Sequence, residues 1–200
     1  MSGETLPREK KPNKSGGAAT ETRQETGAGF GTVDCGAVLG SVLSSLKMEI
    51  EESNAAVIWN DLTTVTADET QLIQLFRNLI SNALKYRSGR PPRIHVSAKP
   101  VRVICGLKFE DPRMQSAIHD LYSASGKGWL FSVTDNGVGI DPLNFDRIFE
   151  TVPCLHADEI NYPGRGAGLT ACREIVTKHN GRIWVDSEPG LGSTFYFTIP

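Results

Sequence analysis

The chain contains 200 residues, 39% of them hydrophobic, with 21 basic and 23 acidic side chains and a formal net charge of −2. This length and composition can bury one hydrophobic core, so we expect one domain with appended segments. Because neither charge forms a long block, the composition argues against a partner that is nucleic acid or an anionic membrane.

The cysteine spacing and the hydropathy bear on the cellular compartment. The four cysteines show no C-x-x-C spacing, which argues against a structural zinc site and a redox dithiol and predicts reduced thiols. No apolar run reaches the roughly 18 residues of a membrane-spanning helix, and the N-terminus lacks the apolar core of a signal peptide. We therefore expect a cytoplasmic protein with no direct membrane insertion.

The N-terminal segment, residues 1–31, is rich in Lys, Glu, Thr, Gly and Pro and has almost no apolar residue before Phe30. Such a segment cannot offset the entropy of ordering, so we predict a disordered tail. From Val33 the pattern changes. Asp34 is a plausible N-cap, and apolar residues then recur at helical spacing up to residues 53–54, which predicts one amphipathic helix.

The next segment predicts two short strands and a second helix. Residues 56–60 and 63–66 are β-type runs that could pair with each other as edge strands. Asp68, with Gln71 three residues later, resembles a capping box and marks a helix N-terminus. An apolar stripe at helical spacing continues the helix to about Arg87.

Polar side chains share one face of this second helix. Asn78, Asn82 and Lys85 lie at positions i, i+4 and i+7, and Tyr86 follows them. An amide oxygen is a hard ligand suited to Mg²⁺, and a lysine is a point charge for phosphate. The same residues would also suit an ordinary solvated helix face, so the rest of the chain must decide between a ligand site and a plain surface.

The middle of the chain predicts sheet strands and an insertion. Residues 93–98 alternate in polarity and predict a strand, and residues 129–134 predict another. We treat residues 99–128 as an insertion, although a plain hairpin connection is the alternative. Within it, residues 101–104 are candidates to extend the sheet and residues 114–122 are candidates for a short helix.

The second of these strands ends in the loop Asp-Asn-Gly-Val-Gly-Ile, residues 135–140. Gly137 and Gly139 can take positive φ and let the backbone approach a ligand closely. The Asp135 carboxylate can only accept hydrogen bonds, so it suits an exocyclic amine such as that of adenine. The alternative is a plain turn, because Asp-Asn-Gly is a strong turn signal by itself.

The last third predicts a short helix at residues 142–150 and then a long loop, residues 151–168. A loop of this length inside a compact domain is usually functional. Three glycines stand at its end: Gly164, Gly166 and Gly168. The loop opens into a helix at residues 169–180, where free N–H groups and the helix dipole favour phosphate, although a flexible loop is the alternative. A hairpin at residues 182–199 completes the sheet edge.

The order of these signals resembles the catalytic ATP-binding domain of sensor histidine kinases. This domain is of the Bergerat type shared with gyrase B subunits and mismatch-repair ATPases, here in the style of kinases attached to phytochrome or PAS sensors. The resemblance covers about residues 33–200. Residues 78–86 look like the asparagine box, 135–140 the first glycine box, 145–149 the phenylalanine box and 164–169 the second glycine box.

The resemblance implies an α/β (α+β) two-layer sandwich, with a mixed, largely antiparallel sheet, helices on one face and a flexible ATP lid. By position it makes Asn82 the magnesium ligand, gives Asn78 a supporting role at the phosphates or metal, and places Lys85 on phosphate. Tyr86 would lie against adenine and Asp135 would accept from its N6 amine. The other implied nucleotide-binding positions are Gly137, Gly139, Ile140, Gly164, Arg165, Gly166, Gly168 and Leu169.

The implied activity is that of a protein histidine kinase with ATP and Mg²⁺ as cofactors. The γ-phosphate would pass to a histidine on a separate or missing dimerisation domain, without which the enzyme is incomplete, and a response regulator would be the further partner. His119 echoes the acceptor motif, but we interpret it as part of a surface helix in the insertion. The alternatives are an ATP-binding regulatory module without transfer and a serine kinase of the anti-sigma type.

Overall fold

The computed structural model describes residues 29–102, 127–150 and 167–200, and seven strands and four α-helices lie within them. The strands are β1 (Gly31–Asp34), β2 (Ala56–Trp59), β3 (Thr64–Ala67), β4 (Arg93–Arg102), β5 (Lys127–Asp135), β6 (Ile183–Glu188) and β7 (Gly192–Ile199). The helices are α1 (Cys35–Ser45), α2 (Lys47–Glu52), α3 (Glu69–Lys85) and α4 (Ala167–Lys178).

Five of the strands form the main sheet, in the order β2-β4-β5-β7-β6. Strand β2 runs parallel to β4, and the other three neighbouring pairs are antiparallel. The predicted mixed, largely antiparallel sheet is confirmed. The closing hairpin is also confirmed, since β6 and β7 pair and β6 is the sheet edge.

The hydrophobic core lies between this sheet and the helices. Phe131 of β5 and Phe197 of β7 stack with ring centroids 4.8 Å apart, and Phe76 of α3 meets both rings edge-on at 6.0 and 5.6 Å. All three side chains are fully buried. Offset-stacked and edge-to-face pairs are the favoured aromatic geometries, so this cluster fixes α3 against the sheet. The predicted α+β sandwich with helices on one face is confirmed.

Helix α3 begins as its sequence predicts, with one difference in the cap. The Asp68 carboxylate accepts from the Gln71 N–H at 3.1 Å. The Asp68 N–H, however, donates to Nε2 of His179 at 3.1 Å, whereas the Gln71 amide bonds only to the Asp68 side chain. Because Nε2 accepts this bond, Nδ1 carries the proton and donates to the Ile175 carbonyl at 2.8 Å. The buried His179 thereby ties the end of α4 to the start of α3.

The prediction of one helix up to residues 53–54 was wrong, because the chain forms α1 and α2 with a break at Leu46. The N-cap at Asp34 is as predicted, accepting from two N–H groups of the first turn. At the far end, the hydroxyls of Ser44 and Ser45 bond to backbone carbonyls within α1. Leu46 then leaves helical geometry, with φ −101° and ψ 13°. Such local side-chain bonds compete with regular helix.

The prediction that residues 56–60 and 63–66 pair with each other was also wrong. Both runs form strands, but β2 pairs with β4, and β3 pairs with β1 in a separate two-stranded sheet. The pairing partners lie far apart in sequence, so the short connection between β2 and β3 does not act as a hairpin. Periodicity predicts that a strand exists but not which strand it pairs with.

Further differences concern the regions beside the loops. The prediction of one helix at residues 142–150 was wrong, because the chain forms two 3-10 turns there, Pro142–Asn144 and Arg147–Phe149. Each has three residues, the usual length of 3-10 structure, and Asp141 caps the first. Helix α4 begins at Ala167, so Gly168 and Leu169 lie in its first turn. It ends at Lys178, and Asn180 just beyond it has a φ of 56°, the left-handed stop that the sequence predicts.

Several predictions fall on residues that the structure does not describe. These are residues 1–28 of the predicted tail, most of the insertion with its candidate helix and His119, and most of the predicted lid. The last residue of the predicted tail, Gly31, begins strand β1. Both ends of the predicted insertion belong to strands, since β4 extends to Arg102 and β5 begins at Lys127. The two described cysteines, Cys35 and Cys172, are free and buried. Within the described ranges, no helix has the length and hydropathy that would allow it to cross a membrane.

Candidate nucleotide-binding site

The loop at residues 135–140, here called the base loop, leaves the end of β5 between the C-terminus of α3 and the β6–β7 hairpin. The N–H of Val138 donates to the Tyr86 carbonyl at 3.0 Å, and its carbonyl accepts from the Gly190 N–H at 2.7 Å. One residue of the loop therefore bonds to α3's C-cap and to the hairpin turn. This two-sided attachment fixes the loop relative to both elements.

Asn136 adds a second attachment on the α3 side. Its amide oxygen accepts from the Arg93 N–H at 2.7 Å, and its amide nitrogen donates to the Pro91 carbonyl at 3.1 Å. The Ser88 hydroxyl donates to the Asn136 carbonyl at 3.3 Å. The side chain thus clamps the base loop to the segment that joins α3 to β4.

The glycines of the base loop are packed against neighbouring backbone. A Cβ added at Gly137 would lie 2.4 Å from the Tyr86 carbonyl oxygen, and one at Gly139 would lie 2.1 Å from the carbonyl oxygen of Glu188. Gly139 also has a φ of +72°, which favours glycine. Both glycines are therefore required by the protein's own packing. Contact of either glycine with a base remains a prediction.

The carboxylate of Asp135 is half-buried at the end of β5 and is oriented by backbone donors. Its Oδ1 accepts from the Gly137 N–H at 2.7 Å. Burial raises the pKa of the Asp135 carboxyl, and hydrogen bonds from the N–H groups of Gly137 and Ser193 lower it in part. A desolvated carboxylate held in this way can accept a further hydrogen bond, and it would favour a donor such as an exocyclic amine.

The amide of Asn78 joins the middle of α3 to the first turn of α4. Its Nδ2 donates to the Gly168 carbonyl at 3.1 Å. Hydrogen bonding to this amide also lowers the pKa of the buried Cys172 thiol, although burial is the larger effect and raises that pKa to about 12. With the nitrogen turned toward α4, the amide oxygen is the end of Asn78 left to accept a donor or hold a cation.

The remaining predicted residues of α3 lie toward its C-terminus. Asn82 is half-buried one turn after Asn78, and Tyr86 is the half-buried C-cap. Lys85 is exposed, with its Nζ 5.2 Å from the centroid of the Tyr86 ring, within the range of a cation–π contact. The two amide oxygens along this helix are ligands that suit Mg²⁺, and the ammonium suits the phosphate oxygens that would bind with the metal.

The structure therefore brings together the asparagine box, the base loop and the start of α4. Ile140 and Leu169 are both half-buried and pack against the core. Phe149 of the phenylalanine box is buried and meets Phe195 edge-on, with ring centroids 6.3 Å apart. Gly164, Arg165 and Gly166 lie outside the described residues.

Sequence reasoning did not assign roles to Asn136, Ser187 or Ser193. Asn136 is a turn-forming residue whose long-range bonds leave no local signal. Ser187 accepts from the Ile140 N–H at 2.8 Å across 47 positions of sequence. A serine in a strand next to a turn is common, so only the folded structure reveals these partners.

Solved structures with the same fold include histidine kinases. Histidine kinase ThkA in complex with response regulator protein TrrA gives a TM-score of 0.59 over 86% of this chain and 41% of that chain, at 20% identity. Full-length ShkA in complex with AMPPNP gives 0.62 over 86% and 31%, at 25% identity. These matches define the fold class as that of histidine kinase catalytic domains.

The chain belongs to the histidine kinase-, DNA gyrase B- and HSP90-like ATPase family, whose model matches residues 67–200. Among curated relatives, cyanobacterial phytochrome A of Nostoc sp. (strain PCC 7120) is 44% identical over 162 residues. That match covers 81% of this chain but only 18% of the phytochrome. The chain thus corresponds to a histidine kinase-like ATPase catalytic domain, and it spans less than a fifth of this relative's length.

Proposed function

We propose that this site binds ATP with Mg²⁺ and that the chain is the phosphoryl-donating part of a histidine kinase. The observation that carries the proposal is Asp135, a half-buried carboxylate oriented by backbone N–H groups at the end of a strand, in a loop that bonds to the C-cap of α3, the helix that carries the asparagines. Family membership and the similarity to a phytochrome support it. We further propose that residues 33–200 form this unit, with an insertion between the ends of β4 and β5.

At the base end of the site, Asp135 accepts a hydrogen bond from the N6 amine of adenine. Tyr86 lies against the ring, and Ile140 supplies an apolar wall. Gly137 and Gly139 admit the base, and their missing side chains also let the loop pack directly on its neighbours. The adenine is then recognised by one charged acceptor among apolar and backbone groups, which is a common arrangement in small-molecule sites.

At the phosphate end, Asn82 holds Mg²⁺, and the oxygen of Asn78 supports the metal or the phosphates. Mg²⁺, when bound with the nucleotide, neutralises phosphate charge. Lys85 adds a positive charge near the phosphates. Four further positions contribute at the start of α4 or just before it: Gly164, Arg165, Gly166 and Gly168, with Leu169 behind them.

The proposed acceptor is a histidine on a dimerisation domain in trans or in a longer protein, and a response regulator receives the phosphoryl group afterwards. The described histidines support an acceptor elsewhere. His179 is buried with both ring nitrogens bonded, and His95 lies in β4 near the Asn60 amide at 3.3 Å. His119 lies in the insertion, and we propose that it is not an acceptor.

The test is incubation of the chain with γ-labelled ATP, Mg²⁺ and separate histidine-bearing hairpin proteins, with the Asn82→Ala variant as the inactive control. Acid-labile label on the hairpin histidine supports the proposal. Acid-stable label on serine would indicate an anti-sigma type kinase, and ATP binding without transfer to any hairpin would indicate a regulatory module. Label on this chain that is lost in His119→Gln would contradict the assignment of the acceptor.

A further inference from the structure

The hydroxyl of Ser187, at the end of β6, is a junction between the base loop and the β6–β7 hairpin. Its Oγ accepts from the Ile140 N–H at 2.8 Å, donates to the Gly192 carbonyl at 2.7 Å and lies 2.9 Å from Oγ of Ser193. A hydroxyl has one proton, which here goes to the Gly192 carbonyl. Ser193 must therefore be the donor in the serine pair.

This assignment of protons fills every hydrogen-bonding position of Ser187. One hydrogen is donated and two lone pairs accept, so the side chain is held in one orientation by three partners. The partners lie on both sides of the interface: Ile140 closes the base loop, whereas Gly192 and Ser193 begin β7. Ser187 therefore fixes the distance between the end of the base loop and the start of β7.

The start of β7 in turn orients Asp135. The N–H of Ser193 donates to the Asp135 carboxylate, and a Cβ at Gly192 would lie 2.1 Å from the Asp135 carbonyl oxygen. A shift of the hairpin relative to the loop would thus change the position of the carboxylate that we propose reads the base. The two ends of the base loop therefore both bond to this pair of serines: Asp135 to the N–H of Ser193, and Ile140 to the hydroxyl of Ser187.

We infer that Ser187 is a positioning residue for purine recognition, acting through Ser193 and Ile140 on the Asp135 carboxylate without touching the nucleotide. The inference rests on the proposed ATP site. It predicts that loss of the Ser187 hydroxyl lowers the selectivity for adenine more than the affinity for the phosphates. The reason is that the hydrogen bonds of Ser187 and Ser193 reach the base loop and not the asparagines of α3.

The test compares Ser187→Ala with wild type by calorimetric titration of Mg·ATP, Mg·GTP and Mg·tripolyphosphate. Ser187→Ala leaves the Ile140 N–H, the Gly192 carbonyl and the Ser193 hydroxyl without this partner. The resulting change in the position of Asp135 should lower ATP affinity about threefold to tenfold, the equivalent of one neutral hydrogen bond. The ratio of ATP to GTP affinity should fall, and tripolyphosphate affinity should stay within about twofold of wild type. Ser187→Thr, which keeps the hydroxyl in a strand that tolerates β-branched residues, should restore the ATP to GTP ratio.

The matched control is Ser97→Ala, which removes a cross-strand serine pair of similar length, 2.8 Å between Ser97 and Ser132. It should leave all three affinities unchanged. If Ser187→Ala does not fold, Ser187→Cys keeps nearly the same volume with a weaker hydrogen-bonding group and should shift the ratio in the same direction.

Two results would overturn the inference: wild-type ATP to GTP selectivity in a folded Ser187 variant lacking the hydroxyl, or an equal loss for ATP and tripolyphosphate. A wild-type chain that binds neither ATP nor GTP would overturn the proposed function as well, so the two failures are distinguishable.

Discussion

Replacing Asp135 by Asn changes the group that would read the base and keeps one oxygen for the two backbone N–H groups, of Gly137 and Ser193, that hold the carboxylate. The Asn side chain keeps an oxygen that can accept the Gly137 N–H, which Oδ1 accepts at 2.7 Å. It places an NH₂ group where the second carboxylate oxygen stood, so an adenine amine would meet a donor instead of an acceptor. Loss of a hydrogen bond to a charged group costs about 1.5 to 3 kcal/mol, roughly ten- to a hundredfold in affinity.

Calorimetric titration of Mg·ATP and Mg·GTP into wild type and Asp135→Asn measures this effect. ATP affinity should fall by that factor, whereas GTP affinity should stay constant or rise, because a guanine carbonyl can accept from the new NH₂. Asp135→Ala is the companion variant, since it also leaves the N–H groups of Gly137 and Ser193 without an acceptor and should lower stability. Full ATP affinity in Asp135→Asn, or an equal loss for both nucleotides, would refute Asp135 as the base-reading residue.

The same carboxyl predicts a pH dependence. Burial raises the pKa of Asp135 above its usual value, so the folded-state pKa exceeds the unfolded one. The stability linked to this group is therefore full below the unfolded pKa and is lost as pH rises through the folded pKa. ATP binding should depend on pH in the opposite sense, because the adenine amine donates to the ionised form of Asp135. ATP affinity should therefore fall as pH falls through the raised pKa of Asp135. Asp135→Asn should lack this pH dependence of ATP affinity. Identical profiles of ATP affinity against pH for wild type and Asp135→Asn would contradict the prediction.

Three further substitutions test other parts of the structure. Asn82→Ala should abolish magnesium-dependent ATP binding without unfolding the chain, as calorimetry and denaturant unfolding would show, because a half-buried amide contributes little to the core. His179→Ala should lower the free energy of unfolding by roughly 1 to 3 kcal/mol, because the buried Asp68 N–H loses its acceptor. Gly139→Ala should be more destabilising than Gly190→Ala, since both have positive φ but only Gly139 has backbone atoms within 4 Å of the added Cβ.

Each of these substitutions has a control or a contradicting result. Gln74→Ala, at an exposed position of α3, should leave ATP affinity unchanged. His95→Ala should change the unfolding free energy by less than about 0.5 kcal/mol, as is usual away from buried networks. Equal effects of the two histidine variants would mean that the bond to α3's cap is energetically unimportant. Equal unfolding free energies for the two glycine variants would mean that the backbone relaxes around Gly139.

The features that sequence predicted correctly depend on local chemistry. Asp34 and Asp68 cap helices through donors two or three positions away, and Asn180 stops α4 through its own φ. The stripe of α3 shows directly which face is buried. The order of the boxes along the chain identified the fold, because each box is a contiguous run of residues that is recognisable before the chain is folded.

The features that sequence missed depend on contacts between distant segments. The Asn136 clamp spans 43 positions and the Ser187 bond spans 47. The predicted pairing of β2 with β3 was wrong for the same reason, because the strand that each one pairs with lies far away in sequence. The break at Leu46 is a milder case, in which serine hydroxyls compete with a helical pattern that apolar spacing alone favours.

The glycines of the base loop show why a motif and its ligand should be tested separately. In this structure, the space that a Cβ would occupy at Gly137 and Gly139 is filled by the carbonyl oxygens of Tyr86 and Glu188, which are groups of the protein itself. A glycine variant can therefore lose ATP affinity by moving the loop, even if neither glycine touches the base. Asp135 differs because its side chain can be changed while its bond to Gly137 is kept. Discrimination between ATP and GTP in Asp135→Asn is thus the measurement that ties the loop to the nucleotide base.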